Sequence, residues 1–252
     1  MAEEQQNTKP KFPSEFIDLP SGGKLYPEGS PLRDGKIEIK YMTAKEEDIL
    51  TSQNLIKKGI VIDKLLNSLI LTQNVTTDDL FLGDKNAVMV AARILAYGPE
   101  YTCEVTHPTT GETATKTFNL ADCPFRKLPE DVNLDKNSFE VTLPISKSVI
   151  TFRLLTGKEE KTIDAEIKAT KKATGLSPEL TTRLRHTITS VDGDSERKTI
   201  NQFVDNMLSR DSIALRQDVA RVSPNIELEQ EIEVEGETVK VDIPMTVNFF
   251  WP

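Results

Sequence analysis

The stretch Met42-Thr-Ala-Lys-Glu-Glu-Asp-Ile49 recurs in the second half of the chain as Leu155-Thr-Gly-Lys-Glu-Glu-Lys-Thr-Ile163. In both copies a glutamate follows a threonine by three residues, which is the pattern of a helix capping box. The threonine side chain caps the first turn, and the glutamate accepts a hydrogen bond from the threonine backbone N–H. The repeated stretch therefore predicts two helix starts rather than a pair of catalytic carboxylates.

The order of elements around the two copies is also repeated. A β-rich stretch precedes each copy, at 36–41 and at 149–154, and a helix at 84–97 has its counterpart at 211–222. Each of these later helices ends just before a proline, and a β-hairpin is predicted after it. We therefore predict an α+β fold of two related units, an internal duplication in which each unit has a strand or hairpin, helices and a closing β-hairpin.

The chain divides into four segments on this interpretation. Residues 1–15 are predicted to be a disordered N-terminal arm, because they are polar and contain proline. The first α+β unit covers 16–120, a linker with two prolines covers 121–137, and the second unit covers 138–252. Within the first unit, the Gly- and Pro-rich loop 21–31 has only Leu25 and Tyr26 to bury.

Further helices and hairpins follow from apolar spacing and from turn residues. The predicted helices are 44–57, 60–71, 84–97, 157–174, 178–189, 196–209 and 211–222, and the predicted hairpins are 101–106 with 113–118, 139–145 with 149–155, and 226–234 with 238–243. Residues 191–194 are predicted to form a loop.

Composition excludes several classes of function. The 252 residues carry a net charge of -9, which argues against a nucleic-acid partner because phosphate binding requires a basic face. The sequence lacks a membrane span and a signal peptide, so we expect a cytoplasmic protein. With two cysteines, Cys103 and Cys123, a disulfide framework is not expected. Protein partners are the expected class, and the oligomeric state stays open.

Residues with catalytic potential are sparse. The histidines are His107, in a predicted turn, and His186, in a predicted helix, where surface or capping roles are expected. Cys103 and Cys123 are expected to be small buried residues, because no basic neighbour would activate their thiols. The segment Gly22-Gly23-Lys24 lacks the spacing of a phosphate-binding loop. We predict no catalytic residue, no cofactor and no metal.

Two features carry alternative interpretations. The Lys-rich helix 157–174, with lysines and glutamates interleaved, is either a solvated face or a contact surface for an acidic partner. The C-terminal aromatics Phe249, Phe250 and Trp251 either fold back into the core of the second unit, which we favour, or form an exposed anchor for a partner. Together with Leu25 and Tyr26, they are the candidate partner contacts.

Three segments resemble the baseplate hub assembly proteins of T4-type tailed bacteriophages. They are Asp18-Leu-Pro-Ser-Gly-Gly-Lys-Leu-Tyr-Pro27, the stretch 36–51 and the ending Asn248-Phe-Phe-Trp-Pro252. The resemblance implies a non-enzymatic role in assembling the baseplate hub through contacts with other baseplate and hub proteins, as an assembly chaperone or scaffold in the cytoplasm of the infected cell. The alternatives are a stoichiometric subunit of the virion baseplate and, less favoured, a hydrolase or nucleotide-dependent assembly factor.

Some members of this family carry a Cys-Pro-x-Cys-Gly turn in their hairpins. Here the first hairpin has His107-Pro-Thr-Thr-Gly111 and the second has Glu235-Gly-Glu237. A zinc site needs two pairs of ligands, so this chain departs from that pattern and we expect no zinc.

Overall fold

A computed structural model of the chain describes residues 12–106, 111, 113–234, 237–245 and 247–250. Most of the predicted N-terminal arm, the predicted turn at His107 and residue Trp251 lie outside the described residues. Helices and strands are mixed and the sheets are small, so the α+β prediction is confirmed.

The first half contains two antiparallel hairpins with four helices between them. Its elements are β1 (Ser14–Asp18), β2 (Lys36–Lys40), α1 (Ala44–Thr51), α2 (Gln53–Lys57), α3 (Val61–Leu69), α4 (Leu82–Tyr97), β3 (Glu100–Thr106) and β4 (Thr113–Asn119). Strand β1 pairs with β2, and β3 pairs with β4. A short 3-10 turn, Leu120–Asp122, follows β4.

The second half has a three-stranded sheet, four helices and a closing hairpin. Its elements are β5 (Phe139–Thr142), β6 (Val149–Phe152), α5 (Gly157–Thr174), α6 (Glu179–Thr187), β7 (Ile188–Val191), α7 (Arg197–Asp205), α8 (Ser209–Val222), β8 (Glu229–Val234) and β9 (Glu237–Asp242). The sheet order is β5-β6-β7, and β8 pairs with β9. Val247–Phe250 forms a final 3-10 turn.

Three predicted helices differ from the structure. The helix predicted over 196–209 ends at Asp205, and Ser209 already belongs to α8. The helix predicted over 44–57 is split into α1 and α2, because the backbone of Ser52 is extended. Just before the break, the Thr51 hydroxyl donates to the backbone carbonyls of Glu47 and Asp48, a bond that disturbs regular helix geometry. The helix predicted over 178–189 ends at Thr187, and the β-branched run after it forms β7 beside β6. Burial of Ile188 and Val191 on the sheet favours the strand.

The buried apolar residues of both halves form one continuous core cluster. The predicted linker packs along the second half, since the Arg126 N–H donates to the Asn225 carbonyl and the Glu227 N–H donates to the Pro124 carbonyl. Two glycines lie where the halves meet: a side chain at Gly83 would overlap the backbone carbonyl of Pro224, and one at Gly157 would overlap that of Thr77. The two halves are therefore closely packed against each other.

Candidate functional site

Both predicted capping boxes are present, and each is joined by a cation from the preceding strand or loop. Glu46 accepts hydrogen bonds from the backbone N–H and the hydroxyl of Thr43, at 3.0 and 2.6 Å, and forms an ion pair with Lys40 at 2.8 Å. Burial alone would raise the pKa of Glu46, but the bonds from Lys40 and Thr43 outweigh burial and lower it. Glu46 therefore fixes the entry of α1 as a buried carboxylate.

The second capping box has the same construction. Glu159 accepts from the backbone N–H and hydroxyl of Thr156, at 2.7 and 2.6 Å, and Arg153 lies 2.9 Å from its carboxylate. Here too burial opposes ionisation, while Thr156 and Arg153 lower the pKa of the glutamate. In both halves the cation lies three residues before the capping threonine.

A buried carboxylate on α4 holds the Gly-rich loop of the first half. Asp84 accepts the backbone N–H of Ser21 at 2.9 Å, the Ser21 hydroxyl at 2.7 Å and the Tyr26 hydroxyl at 2.6 Å. Burial raises the pKa of Asp84, and the three donors lower it by less, so the pKa is raised. The pKa of Tyr26 is also raised, first by burial and then by the neighbouring carboxylate of Asp84. The Tyr26 oxygen also accepts the Phe81 N–H at 3.2 Å, so one cluster joins the loop to the start of α4.

A carboxylate at the matching position of α8 holds the loop of the β5–β6 hairpin. Asp211 accepts the backbone N–H groups of Ile145 at 2.8 Å and Ser146 at 3.0 Å. Burial alone would raise its pKa, but these backbone donors and the nearby Lys147 lower it. Asp211 is therefore held as an anion that fixes the hairpin loop.

Four segments distant in sequence enclose a cavity of about 620 Å³, here called the central groove. It is lined by loop 25–33, segment 78–81, segment 135–137 and the start of α5 at Thr156 and Lys158. The α5 end is fixed because the Lys158 N–H donates to the Asp78 carbonyl at 2.8 Å, and the Gly157 N–H donates to the Leu80 carbonyl at 2.9 Å. The groove thus lies at the junction of the two halves.

Charged groups of both signs line the central groove. Its carboxylates are Glu28, Asp78, Asp79 and Asp135, and its cations are Arg33, Lys136 and Lys158. Arg33 donates to the backbone carbonyls of Lys24 and Tyr26, which closes the loop on one side. A mixed-charge groove between rigid segments is suited to a polypeptide with polar side chains.

The predicted contact residues Leu25 and Tyr26 both line the central groove, although each is mostly buried in the chain itself. The Tyr26 ring packs 4.9 Å from the ring of Phe81. The structure therefore gives them a clear role as loop anchors, as the sequence predicts for the loop, and leaves their partner contact as a proposal.

The C-terminal aromatics lie elsewhere. Phe249 and Phe250 are fully buried, with their rings 5.5 Å apart, and Phe249 lies 4.9 Å from Tyr101. Arg93 of α4 donates to the Phe249 carbonyl at 3.0 Å. Both residues lie in the core cluster that the two halves share, and their contacts with Tyr101 and Arg93 are with the first half, whereas the sequence favours the core of the second unit. Arg93 and Tyr101 hold the C-terminal turn in place, and the sequence alone does not reveal these contacts.

The remaining residues of catalytic type occupy ordinary positions. The His186 ring lies 3.1 Å from the Glu166 carboxylate, between α6 and α5. Burial raises the pKa of both Cys103 and Cys123, which keeps the thiols protonated and poorly nucleophilic. Within the described part of the chain, no three His, Cys, Asp or Glu side chains are grouped as metal ligands. No helix among the described residues has the length and apolar character needed to cross a membrane.

Several residues that organise these sites were not predicted from sequence. Asp84 and Asp211 stand at matching positions in the two halves, and this correspondence was the available signal. Their bonds to Ser21 and to Ile145 join residues 63 and 66 positions apart. No local pattern predicts such pairs.

The fold and these sites define an α+β protein with a groove at the junction of its two halves. A family model described as T4 bacteriophage base plate protein matches residues 11–251, and the chain belongs to this family. The resemblance noted in the sequence is thereby confirmed at the level of a T4-type baseplate protein. Comparison with curated proteins and with solved structures gave no match in either set.

Proposed function

We propose that the protein is a non-enzymatic phage tail assembly protein that helps assemble the baseplate hub through protein contacts, as an assembly chaperone or scaffold. The observation that carries the proposal is the family match, which extends over residues 11–251. On this proposal the protein acts in the cytoplasm of the infected bacterium, and its partners are other baseplate and hub proteins.

The central groove supports a role in binding. Its walls are held by hydrogen bonds that do not depend on a partner, so a bound segment would meet a preformed surface and little ordering cost. Leu25 and Tyr26 supply apolar surface within it, and Lys136 and Lys158 supply charge. Phe249 and Phe250 remain proposed contacts as well, but they would have to leave the core first.

The proposal includes two related units, 16–120 and 138–252, joined by 121–137. Its support is the repetition of two devices: a cation paired with the glutamate of a capping box, and an aspartate at the third position of the last long helix that holds a hairpin loop. Duplication would give one chain two similarly built surfaces for neighbouring subunits.

Affinity capture during infection tests the proposed function. A phage encoding the full chain with a C-terminal affinity tag is grown, and proteins captured before lysis are quantified by mass spectrometry. We expect baseplate and hub proteins of the same phage to be enriched over capture from an untagged infection. Enrichment of host enzymes or of no phage structural protein would contradict the proposal.

Mass spectrometry of purified virions distinguishes the assembly factor from the structural subunit. An assembly factor is absent from mature particles or present well below the other baseplate proteins. A copy number equal to theirs would establish a stoichiometric subunit and remove the chaperone role.

A further inference from the structure

Helix α5 is the least packed long helix of the chain. It runs for 18 residues from Gly157 to Thr174, and Ile163 is its only buried residue. In proteins, tertiary packing of an apolar face supplies most of the stability of a helix. Leu176, just after the helix, is 71% exposed, and Leu180 at the start of α6 is 42% exposed. The connection between α5 and α6 therefore presents apolar surface that the described residues leave exposed.

A groove lies along this exposed surface, between α5, α6 and α8. It encloses about 620 Å³ and is here called the basic groove. Ile167 and Leu180 supply its apolar lining. Its cations are Lys168, Lys171, Arg183 and Arg216, and its carboxylates are Asp164 and Glu179. Four cations against two carboxylates give this groove an excess of positive charge, although the chain carries a net charge of -9.

Three of the four cations in the basic groove form no direct ion pair with a described residue. Arg183 pairs with Glu160 at 2.8 Å, whereas Lys168, Lys171 and Arg216 form no ion pair with any described residue. On α5, Lys168 stands three residues before Lys171 and four before Lys172. Like charges at these spacings repel across one helix face, and Asp164, four residues before Lys168, offsets only part of this repulsion. Carboxylates from outside the chain would relieve that repulsion.

We infer that the basic groove binds an acidic segment with apolar side chains, supplied by another protein of the baseplate assembly. The apolar residues of the segment would cover Ile167, Leu176 and Leu180, while its carboxylates would face Lys168, Lys171 and Arg216. A nucleic acid fits less well, because Asp164 and Glu179 line the same groove. The inference rests on the proposed function and adds the chemistry of one partner.

Site-specific cross-linking tests the occupant. A photo-reactive amino acid replaces Leu176 in the full chain, which is expressed during infection, irradiated and digested for mass spectrometry. The same residue placed at Phe16, which is 67% exposed on β1 of the first half, is the control. We expect an acidic, apolar peptide from another baseplate protein at position 176 but not at 16. A neutral or basic peptide, a peptide from a second copy of this chain, or no product above the control would each overturn the inference.

Charge reversal tests the role of the cations. The variant Lys168→Glu, Lys171→Glu, Arg216→Glu is compared with Lys45→Glu, Lys57→Glu, Lys58→Glu, which makes the same charge change on exposed lysines of the first half. Recovery of the cross-linked partner is expected to fall at least tenfold for the first variant only, with circular dichroism confirming that both are folded. Equal recovery from both would overturn the inference.

These outcomes are separable from failure of the proposed function. If tails need the chain but assemble normally with the charge-reversed groove, the basic groove has no such partner and the proposed function stands. If tails form without the chain, the proposed function itself is wrong.

Discussion

The two halves place an aspartate at the same point and use it differently. Asp84 and Asp211 are each the third residue of the last long helix of their half, and each holds a hairpin loop of that half. Asp84 faces two hydroxyls and one backbone N–H in a closed interior, and its pKa is raised. Asp211 faces two backbone N–H groups at a loop whose Ile145 is 41% exposed, and its pKa is lowered. Two aspartates with the same structural role therefore have pKa values that shift in opposite directions.

The largest expected effect concerns the residue before each aspartate. In the first half this is Gly83, buried against the Pro224 carbonyl, and in the second it is the exposed Arg210. Gly83→Ala is expected to lower the free energy of unfolding by about 3 kcal/mol through overlap with the backbone. Arg210→Ala, the matched control, should change it by less than about 0.5 kcal/mol. Urea unfolding of both variants measures this, and equal losses would contradict the different packing of the two helices.

Removal of the two carboxylates comes next. Asp84→Ala leaves buried donors from Ser21 and Tyr26 without an acceptor, so we expect a loss of about 2 kcal/mol. Asp211 is buried too, but its donors belong to the exposed loop residues Ile145 and Ser146, which water can reach once the carboxylate is gone. Asp211→Ala should therefore cost about 1 kcal/mol. Denaturant titration at neutral pH compares the two variants. A larger loss for Asp211→Ala would invalidate the contrast between donors from buried residues and donors from an exposed loop.

Replacement by asparagine should reverse that ranking. The Ser21 and Tyr26 hydroxyls can turn and accept from an amide, so Asp84→Asn is expected to cost less than about 0.5 kcal/mol. A backbone N–H group faces each carboxylate oxygen of Asp211, and an N–H group cannot accept. Asp211→Asn should therefore cost about 1 kcal/mol, although the Ser146 hydroxyl could accept from the amide. The same titrations report both values. If Asp84→Asn costs as much as Asp84→Ala, the Ser21 and Tyr26 hydroxyls do not reorient to accept from the amide.

The smallest effect is the dependence of stability on pH. The raised pKa of Asp84 means that its stabilising effect is full below about pH 4 and is lost as pH rises through the native-state value. The lowered pKa of Asp211 has the opposite sign: its stabilisation is full above about pH 4 and is lost as pH falls through the native-state value.

Unfolding curves from pH 3 to 8 test these signs. Relative to the parent chain, Asp84→Asn should gain stability as pH rises, and the deficit of Asp211→Asn should shrink as pH falls. The double variant serves as control, since both contributions are absent from it. Parallel profiles for the two single variants would show that the aspartates titrate alike.

The sequence predicts the local parts of this comparison well. Thr43 with Glu46, and Thr156 with Glu159, lie within one helical turn, so their spacing alone specifies the bonds that the structure contains. The sequence also aligns Asp84 with Asp211. It does not predict the interruption at Ser52, which depends on a side chain competing for backbone carbonyls, or the strand β7, which depends on pairing with β6.

The sites that join distant segments could not be predicted. The central groove combines four segments between residues 25 and 158, and its shape depends on how the halves pack. The C-terminal phenylalanines were expected to be buried in the second unit, but Arg93 and Tyr101 of the first half receive them. A single sequence carries no record of which distant residues meet.

Counting finished tails in infected cells tests the central claim most directly. A phage with a stop codon early in this gene infects cells that either lack or supply the chain from a plasmid, and electron microscopy counts tails with complete baseplates. We expect at least a tenfold loss of complete baseplates without the chain, restored by the plasmid. An equal number of complete baseplates in both infections would contradict a role in baseplate assembly.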